Sequence, residues 1–366
     1  MPVTLGVNFV FINFSMNSKN IHSLSEFLLH AGTDYRIFDL GRGVFPVSSQ
    51  DFLDIENGKV CPPRPRQQHV WYAVVFWQTR PKAQRYIWFV KFPVDEQGML
   101  VQAARNHFLQ IIVDALGHQI AADQAADELP DNPYTFTPTQ QQMAQFSAIT
   151  RQALGDPKND AAPLVEQYLQ TPAVIDWQKL PVQAIADTLI AMNDTLAEHI
   201  VNHYEHFSEP FIDTMLSSLE SVELNSQLRD FFIQQTLEHA REDSQHQRVS
   251  ELLRALSSPV FSAPVNACIN QLFDIVAQPD MHLLSVIAAR HYAQLDTLTA
   301  QRFLEAAAKA DQAGAHQHAL FIGLFSDLVQ IPVLRRTMLT LAKAHQHNPV
   351  MQQSVAALFN QAGSAQ

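Results

Sequence analysis

Three histidines, His199, His203 and His206, stand at i, i+4 and i+7 in the stretch AEHIVNHYEHFSEPF, residues 197–211. Imidazoles one helical turn apart can grip a single transition-metal ion. On a continuous helix from about Val182 to Phe207 the apolar row is Ile185, Leu189, Leu196, Ile200, Tyr204 and Phe207. Each histidine precedes a member of that row by one residue, about 100° around the helix, so the three line the border between core and solvent. At the helical rise His206 lies about 10.5 Å along the axis from His199, too far for all three to share one ion. His199 and His203 are therefore the metal candidates, a half-site that needs ligands from another helix. The competing reading is that amphipathic rings suit a core border, and that 16 histidines yield such pairs by chance. No other cofactor is implied.

Two loops offer further candidates. FDLGRGVFPVS, residues 38–48, holds Gly41-x-Gly43 after a strand-like run, but it lacks the third glycine of a dinucleotide fingerprint and any Gly-Lys-Ser/Thr. A bent strand connection explains the glycines, and Asp39 and Arg42 flanking the bend are the charged pair worth testing as a binding site. CPPRPRQQ, residues 61–68, precedes an aromatic strand, and arginine beside stacked rings is the chemistry of single-stranded nucleic-acid binding, which makes Arg64 and Arg66 binding candidates. The plainer reading is a proline-stiffened loop entering a hydrophobic strand. For nucleophilic catalysis there is no G-x-S-x-G elbow and no cysteine in a recognisable catalytic setting, so no catalytic residue is assigned.

These residues need elements to hold them. In IHSLSEFLLHA, residues 21–31, Ile21, Leu24, Phe27 and Leu28 fall at helical spacing, with Ser23 and Glu26 placed as a capping box. A short strand around Tyr35, Ile37 and Phe38 follows. HVWYAVVFWQT (69–79) and RYIWFVKFPV (85–94), rich in β-branched and aromatic residues and joined by TRPKAQ, predict a hairpin. Its strands are apolar on both faces, Val70, Tyr72, Val74 and Phe76 opposite Trp71, Val75 and Trp77, so the sheet should be covered twice. Leu100, Ala104, Phe108, Ile111, Ile112 and Leu116 form a helical stripe that would cover one face. The result is a small α+β domain at about residues 17–120, with 121–140 as a linker of small, acidic and proline residues.

Beyond the linker, residues 141–366 show only helix-period segments. Helix pairs start near Glu209, Arg248, Met281 and His316, with a last helix at Pro349, at spacings of 39, 33, 35 and 33 residues. A period in that range predicts an all-α HEAT-like helical-repeat domain, in which each pair buries its apolar face only against its neighbours. An irregular helical bundle is the alternative.

Composition bounds the partners. Net charge is −12, but residues 1–100 hold 10 Lys and Arg against 8 Asp and Glu, while 101–366 hold 14 against 28. The larger part therefore argues against nucleic acid as its main partner. Only Cys61 and Cys268 are present, far apart and outside any CxxC pattern, which fits a reduced, cytoplasmic protein. The opening MPVTLGVNFVFINFSM is too short and interrupted to span a bilayer, and its first positive side chain is Lys19, so no membrane association is expected. It reads either as an extra strand or, preferably, as an extension (residues 1–16) ahead of a start at Met16.

Taken as a set, SLSEFLLHAGTDYRIFDLGRGV, HVWYAVVFW, YIWFVKFPVDEQG, YTFTPTQQQMAQF and DWQKLPVQAIAD resemble a full-length gammaproteobacterial family known only as a conserved domain of unknown function. The resemblance runs from about Met16, implies a bacterial cytoplasmic protein and carries over no site residues. The resulting expectation is a non-enzymatic scaffold or regulator that binds a protein partner. A metal-dependent enzyme built on His199 and His203, and a single-stranded nucleic-acid regulator acting through the first domain, are the alternatives.

Overall fold

The computed structural model describes residues 22–79, 84–122, 130–242, 246–314, 316–344 and 348–364. The candidate extension 1–16, part of the hairpin loop and residues 123–129 of the expected linker lie outside the described residues. The chain divides into two compact units, one of residues up to Thr137 together with Gln330–Pro332, and one of Pro138–Val329 and Val333–Gln366. Among the described residues no helix is long and apolar enough to cross a membrane.

The first unit is α+β. Helix α1 (Leu24–His30) leads into strand β1 (Thr33–Asp39), followed by β2 (Phe45–Val47), α2 (Ser49–Glu56), the hairpin β3 (His69–Gln78) and β4 (Arg85–Pro93), and α3 (Gln102–Ala122). All pairings are antiparallel, in the order β2-β1-β3-β4. Ser23 caps α1 as its type and position require, its hydroxyl accepting from the Glu26 N–H at 3.0 Å. The Glu26 carboxylate reaches back to the His22 N–H at 2.8 Å, one residue earlier than a regular capping box.

Period-two alternation sends Tyr35, Ile37, Val70, Tyr72, Val74, Phe76, Trp88 and Phe92 to one face, where they meet Leu24, Phe27 and Leu28 of α1, Phe52 and Ile55 of α2, and Phe108 and Ile112 of α3. Phe108 sits edge-on to Trp88 and to Phe92, at 6.2 and 5.7 Å between ring centroids. Burial of each such ring contributes about 2–3 kcal/mol, so this face dominates the stability of the unit. The opposite face carries Phe38, Trp71, Ala73, Val75, Trp77 and Phe89. There Phe136 packs edge-on against Trp71 at 4.8 Å and against Phe89 at 5.8 Å.

That contact revises the expected linker. Lys91 N–H donates to the Tyr134 carbonyl at 2.7 Å, Phe136 N–H donates to the Phe89 carbonyl at 3.2 Å, and Thr135 bridges Val90. Residues 134–136 thus lengthen the sheet at the β4 edge. Acidic and proline residues around Tyr-Thr-Phe hide a β-compatible triplet whose partner strand is some 45 positions earlier, beyond the reach of local pattern.

The second unit is all-α: α4 (Gln140–Leu154), α5 (Ala162–Gln170), α6 (Val182–Ile190), α7 (Asp194–His203), α8 (Glu209–Ser218), α9 (Ser226–Ala240), α10 (His246–Ala255), α11 (Ala263–Ile275), α12 (Met281–Arg290), α13 (Thr297–Ala313), α14 (Ala319–Leu328), α15 (Pro332–Lys343) and α16 (Pro349–Ser364). Starts at Glu209, His246, Met281, Ala319 and Pro349 fall close to the expected ones. From α4 to α14 each helix packs on the next but one, after which α16 packs on both α13 and α14. Helices α4, α6, α8, α10, α12 and α14 follow one another in one row, and α5, α7, α9, α11 and α13 in a second. Contacts such as α5 with α6, α9 with α10 and α13 with α14 join the rows.

The helix expected over 182–207 is in fact two. It breaks at residues 191–193, where the Asn193 side chain accepts from the Leu196 N–H at 3.0 Å and starts α7 afresh; residues 204–206 form a 3-10 turn. Asn193 is an N-cap type placed before an acidic first turn, a signal that the uninterrupted apolar row masks. Ile185, Leu189, Leu196, Ile200, Tyr204 and Phe207 are nevertheless all buried.

Candidate functional site

The two candidate loops of the first unit, which sequence treats separately, meet in space. Asp39 ends β1 and is 2% exposed; Arg42, in the bend after it, is 1% exposed. The Asp39 carboxylate accepts from the Gly41 N–H at 2.8 Å and lies 3.6 Å from the Arg64 guanidinium. Arg42 donates through Nε to the Pro65 carbonyl at 2.9 Å. Burial pushes the Asp39 carboxyl up to about 6, against the opposing pull of the Gly41 N–H and of Arg64 and Arg42. Gly41 is required because a Cβ there would be driven into the Arg64 backbone carbonyl. Asp39, Arg42 and Arg64 therefore clasp two loops with their charged groups largely sealed from solvent. The three side chains thereby hold the two loops together.

Arg66 goes elsewhere. Its guanidinium lies over the Trp71 ring at 4.6 Å, and the Trp71 Nε1–H donates to the Arg66 carbonyl at 3.1 Å. The chain reverses at Gln67 and Gln68, with φ of 51° and 60°, closed by reciprocal Arg66–His69 backbone bonds of 2.8 and 3.0 Å. Two left-handed residues in succession are the geometry that suits the twist of a hairpin, and without glycine they cost about 1 kcal/mol each. Lys91 sits 5.4 Å from the same Trp71 ring. Further along this sheet face Trp77 is flanked by Arg36 at 6.0 Å and Arg85 at 5.8 Å. Arg36 and Arg85 were not singled out by sequence because their proximity to Trp77 depends on strand register.

In the second unit His199 and His203 are half-buried and His206 is exposed. The His199 and His203 rings stack 6.3 Å apart, and His203 and His206 are edge to face at the same distance. Among the described residues no group of three or more His, Cys, Asp or Glu side chains is arranged to hold a metal ion. The histidine row is, as its periodicity predicts, a border row.

Buried and half-buried polar groups that sequence reading missed tie elements together. Glu56, at the end of α2, accepts from the Leu24 and Ser25 N–H groups at 2.6 and 3.1 Å and from the Ser25 hydroxyl at 2.6 Å, satisfying the first turn of α1. Burial raises its carboxyl above the usual range, and Arg105 of α3 donates to its main-chain carbonyl. Asp187 receives the Arg151 guanidinium at 2.6 Å, the Asn159 N–H at 2.7 Å and the Gln183 amide at 2.7 Å. Asp311 accepts from the His318 and Phe321 N–H groups at 2.7 and 2.8 Å, at the start of α14. Between α11 and α13, Asn266 and Asn270 donate to the Thr299 hydroxyl at 2.8 and 2.7 Å. Fully buried His291 shares a 2.7 Å hydrogen bond with the Leu253 carbonyl through Nε2, and burial depresses its imidazole to about 4. The side chains that look most chemical are thus engaged in placing one helix on another.

The family described as a protein of unknown function, DUF3549, matches residues 19–359. The chain belongs to the DUF3549 family. No curated protein and no solved structure matches the chain. Membership in DUF3549 agrees with the resemblance read from the sequence and adds no site residue to those described.

Proposed function

We propose that this DUF3549 protein is a non-enzymatic interaction protein whose helical second unit receives a protein partner. The observation that carries the reading is the two-row packing from α4 to α14, in which each helix lies on the next but one. Stacks of this kind leave helix faces and turns open along their length for a partner, and the HEAT-like geometry read from the spacing is of this class. The buried Asp187, Asp311 and His291 and the half-buried Asn266 and Asn270 support it, since each is committed to helix packing. Affinity capture with the full chain should return one or two protein partners in stoichiometric amounts. Repeated captures with no protein enriched would count against the reading.

A second reading has its own observation. The sheet face that carries Trp71 with Arg66 and Lys91, and Trp77 with Arg36 and Arg85, has the rings and cations of a single-stranded nucleic-acid platform. It is tested by titration of a labelled oligonucleotide at low salt, where such contacts are strongest.

A further inference from the structure

The end of the second unit differs in charge from the stretch that precedes it. Residues 101–327 hold 28 Asp and Glu against 11 Lys and Arg, whereas residues 328–366 hold Arg335, Arg336 and Lys343 and no acidic residue. Between α15 and α16 opens a groove of about 630 Å³ lined by Ala342, Lys343, Ala344, Val355, Ala356 and Phe359, with Gln352. Ala342 and Val355 are buried, while Phe359 is 52% exposed. The exposed Ala344 and Ala356 let another backbone approach closely, and the Phe359 ring stands open beside them.

One face of α15 continues this surface. Arg336, Leu339 and Lys343, at i, i+3 and i+7, share that face and are all exposed, Leu339 at 42%. Lys343 also lines the groove, so a cationic and apolar stripe runs into an apolar trough.

We infer that the groove between α15 and α16 is the docking site for an amphipathic helix of a partner protein that carries acidic residues beside its apolar face. The inference rests on the protein-binding reading above and names the surface and the partner's chemistry. Charge complementarity selects the occupant. An acidic segment is repelled by most of this strongly acidic unit and attracted at Arg336 and Lys343, whose stretch of chain holds no carboxylate to oppose it. The shape selects a helix, because an apolar trough takes side chains at i, i+3, i+4 and i+7 of one helix face. An anionic membrane or a second copy of the chain are the occupants that the test separates from it.

The test uses the full chain and a fluorescent helical peptide of about four turns, with leucines at i, i+3, i+4 and i+7 flanked by glutamates. A permuted peptide of the same composition and a version with lysine in place of glutamate serve as controls. Anisotropy should report a Kd on the order of micromolar for the acidic amphipathic peptide and at least about tenfold weaker binding of both controls. Phe359→Asp should weaken binding about tenfold or more, and the double variant Arg336→Glu, Lys343→Glu should turn the preference toward the lysine peptide. All three positions are exposed, and unchanged thermal melts show that the variants fold. Absence of binding by the wild-type chain overturns the inference. Binding that neither variant alters also overturns it, placing the site elsewhere and leaving the broader reading intact. Sedimentation with phosphatidylserine vesicles that competes with the peptide assigns the surface to membrane. Self-association abolished by Phe359→Asp assigns it to a second copy. Either of these two results overturns the inference as well.

Discussion

His291→Gln separates the acid response of the helical unit from that of the sheet. His291 is fully buried, its Nε2 is 2.7 Å from the Leu253 carbonyl, and burial holds the imidazole at about 4 against an ordinary 6.5. The unfolded chain therefore takes up this proton first as pH falls. The contribution is complete above 6.5 and is lost as pH falls toward 4. At about 1.4 kcal/mol per unit, the site removes about 2 kcal/mol of stability between about pH 7.5 and about pH 5, and about 3 kcal/mol by pH 4. Glutamine offers the same carbonyl an N–H without titrating, so the variant should lose none of this. Urea unfolding followed by far-ultraviolet circular dichroism is the assay, because helix signal reports the second unit. Tryptophan fluorescence would mix in the first unit, which holds Trp71, Trp77 and Trp88. There Asp39 has the opposite sign: its carboxyl is raised from 3.8 to about 6, so its contribution is present below 3.8 and lost as pH rises through 6. Equal acid losses in wild type and His291→Gln would refute the argument that burial of this imidazole sets the pH response.

Two predictions concern the first unit. Gly41→Ala should destabilise it by about 2–3 kcal/mol, because the added Cβ meets the Arg64 backbone carbonyl, which cannot swing aside as a side chain would; an unchanged urea midpoint by tryptophan fluorescence would contradict this. On the nucleic-acid reading, a labelled single-stranded oligonucleotide should bind at low salt and lose about tenfold in affinity in Arg36→Ala, Arg85→Ala, whereas no binding at low salt removes that reading.

The fold was largely legible because it rests on local periodicity. β-Branched and aromatic enrichment in HVWYAVVFW and YIWFVKF specified the hairpin, and Ser23 marked the start of α1. Legibility failed where a partner lies far along the chain. Residues 134–136 join the β4 edge, and Glu56 caps a helix that begins 32 positions before it. The break at Asn193 was lost because the apolar row on either side stays in phase and every member is buried. At the candidate site, Asp39 with Arg42 and Arg64 with Arg66 were chosen from two separate loops. The structure joins the loops and turns three of those residues inward, while Arg66 joins Trp71. Charged residues beside glycines and prolines mark a loop that needs fastening as readily as one that binds a ligand.

The central claim is that helices of the second unit receive a protein partner. Its most direct test is cross-linking of the captured complex with a carboxylate-to-amine coupling reagent, which engages the many Asp and Glu residues of that unit and joins Lys343 to carboxylates of the partner, followed by mass spectrometry. The account predicts cross-links from the partner to helices between Gln140 and Ser364. Cross-links confined to residues 22–137, or no partner to cross-link, would contradict it.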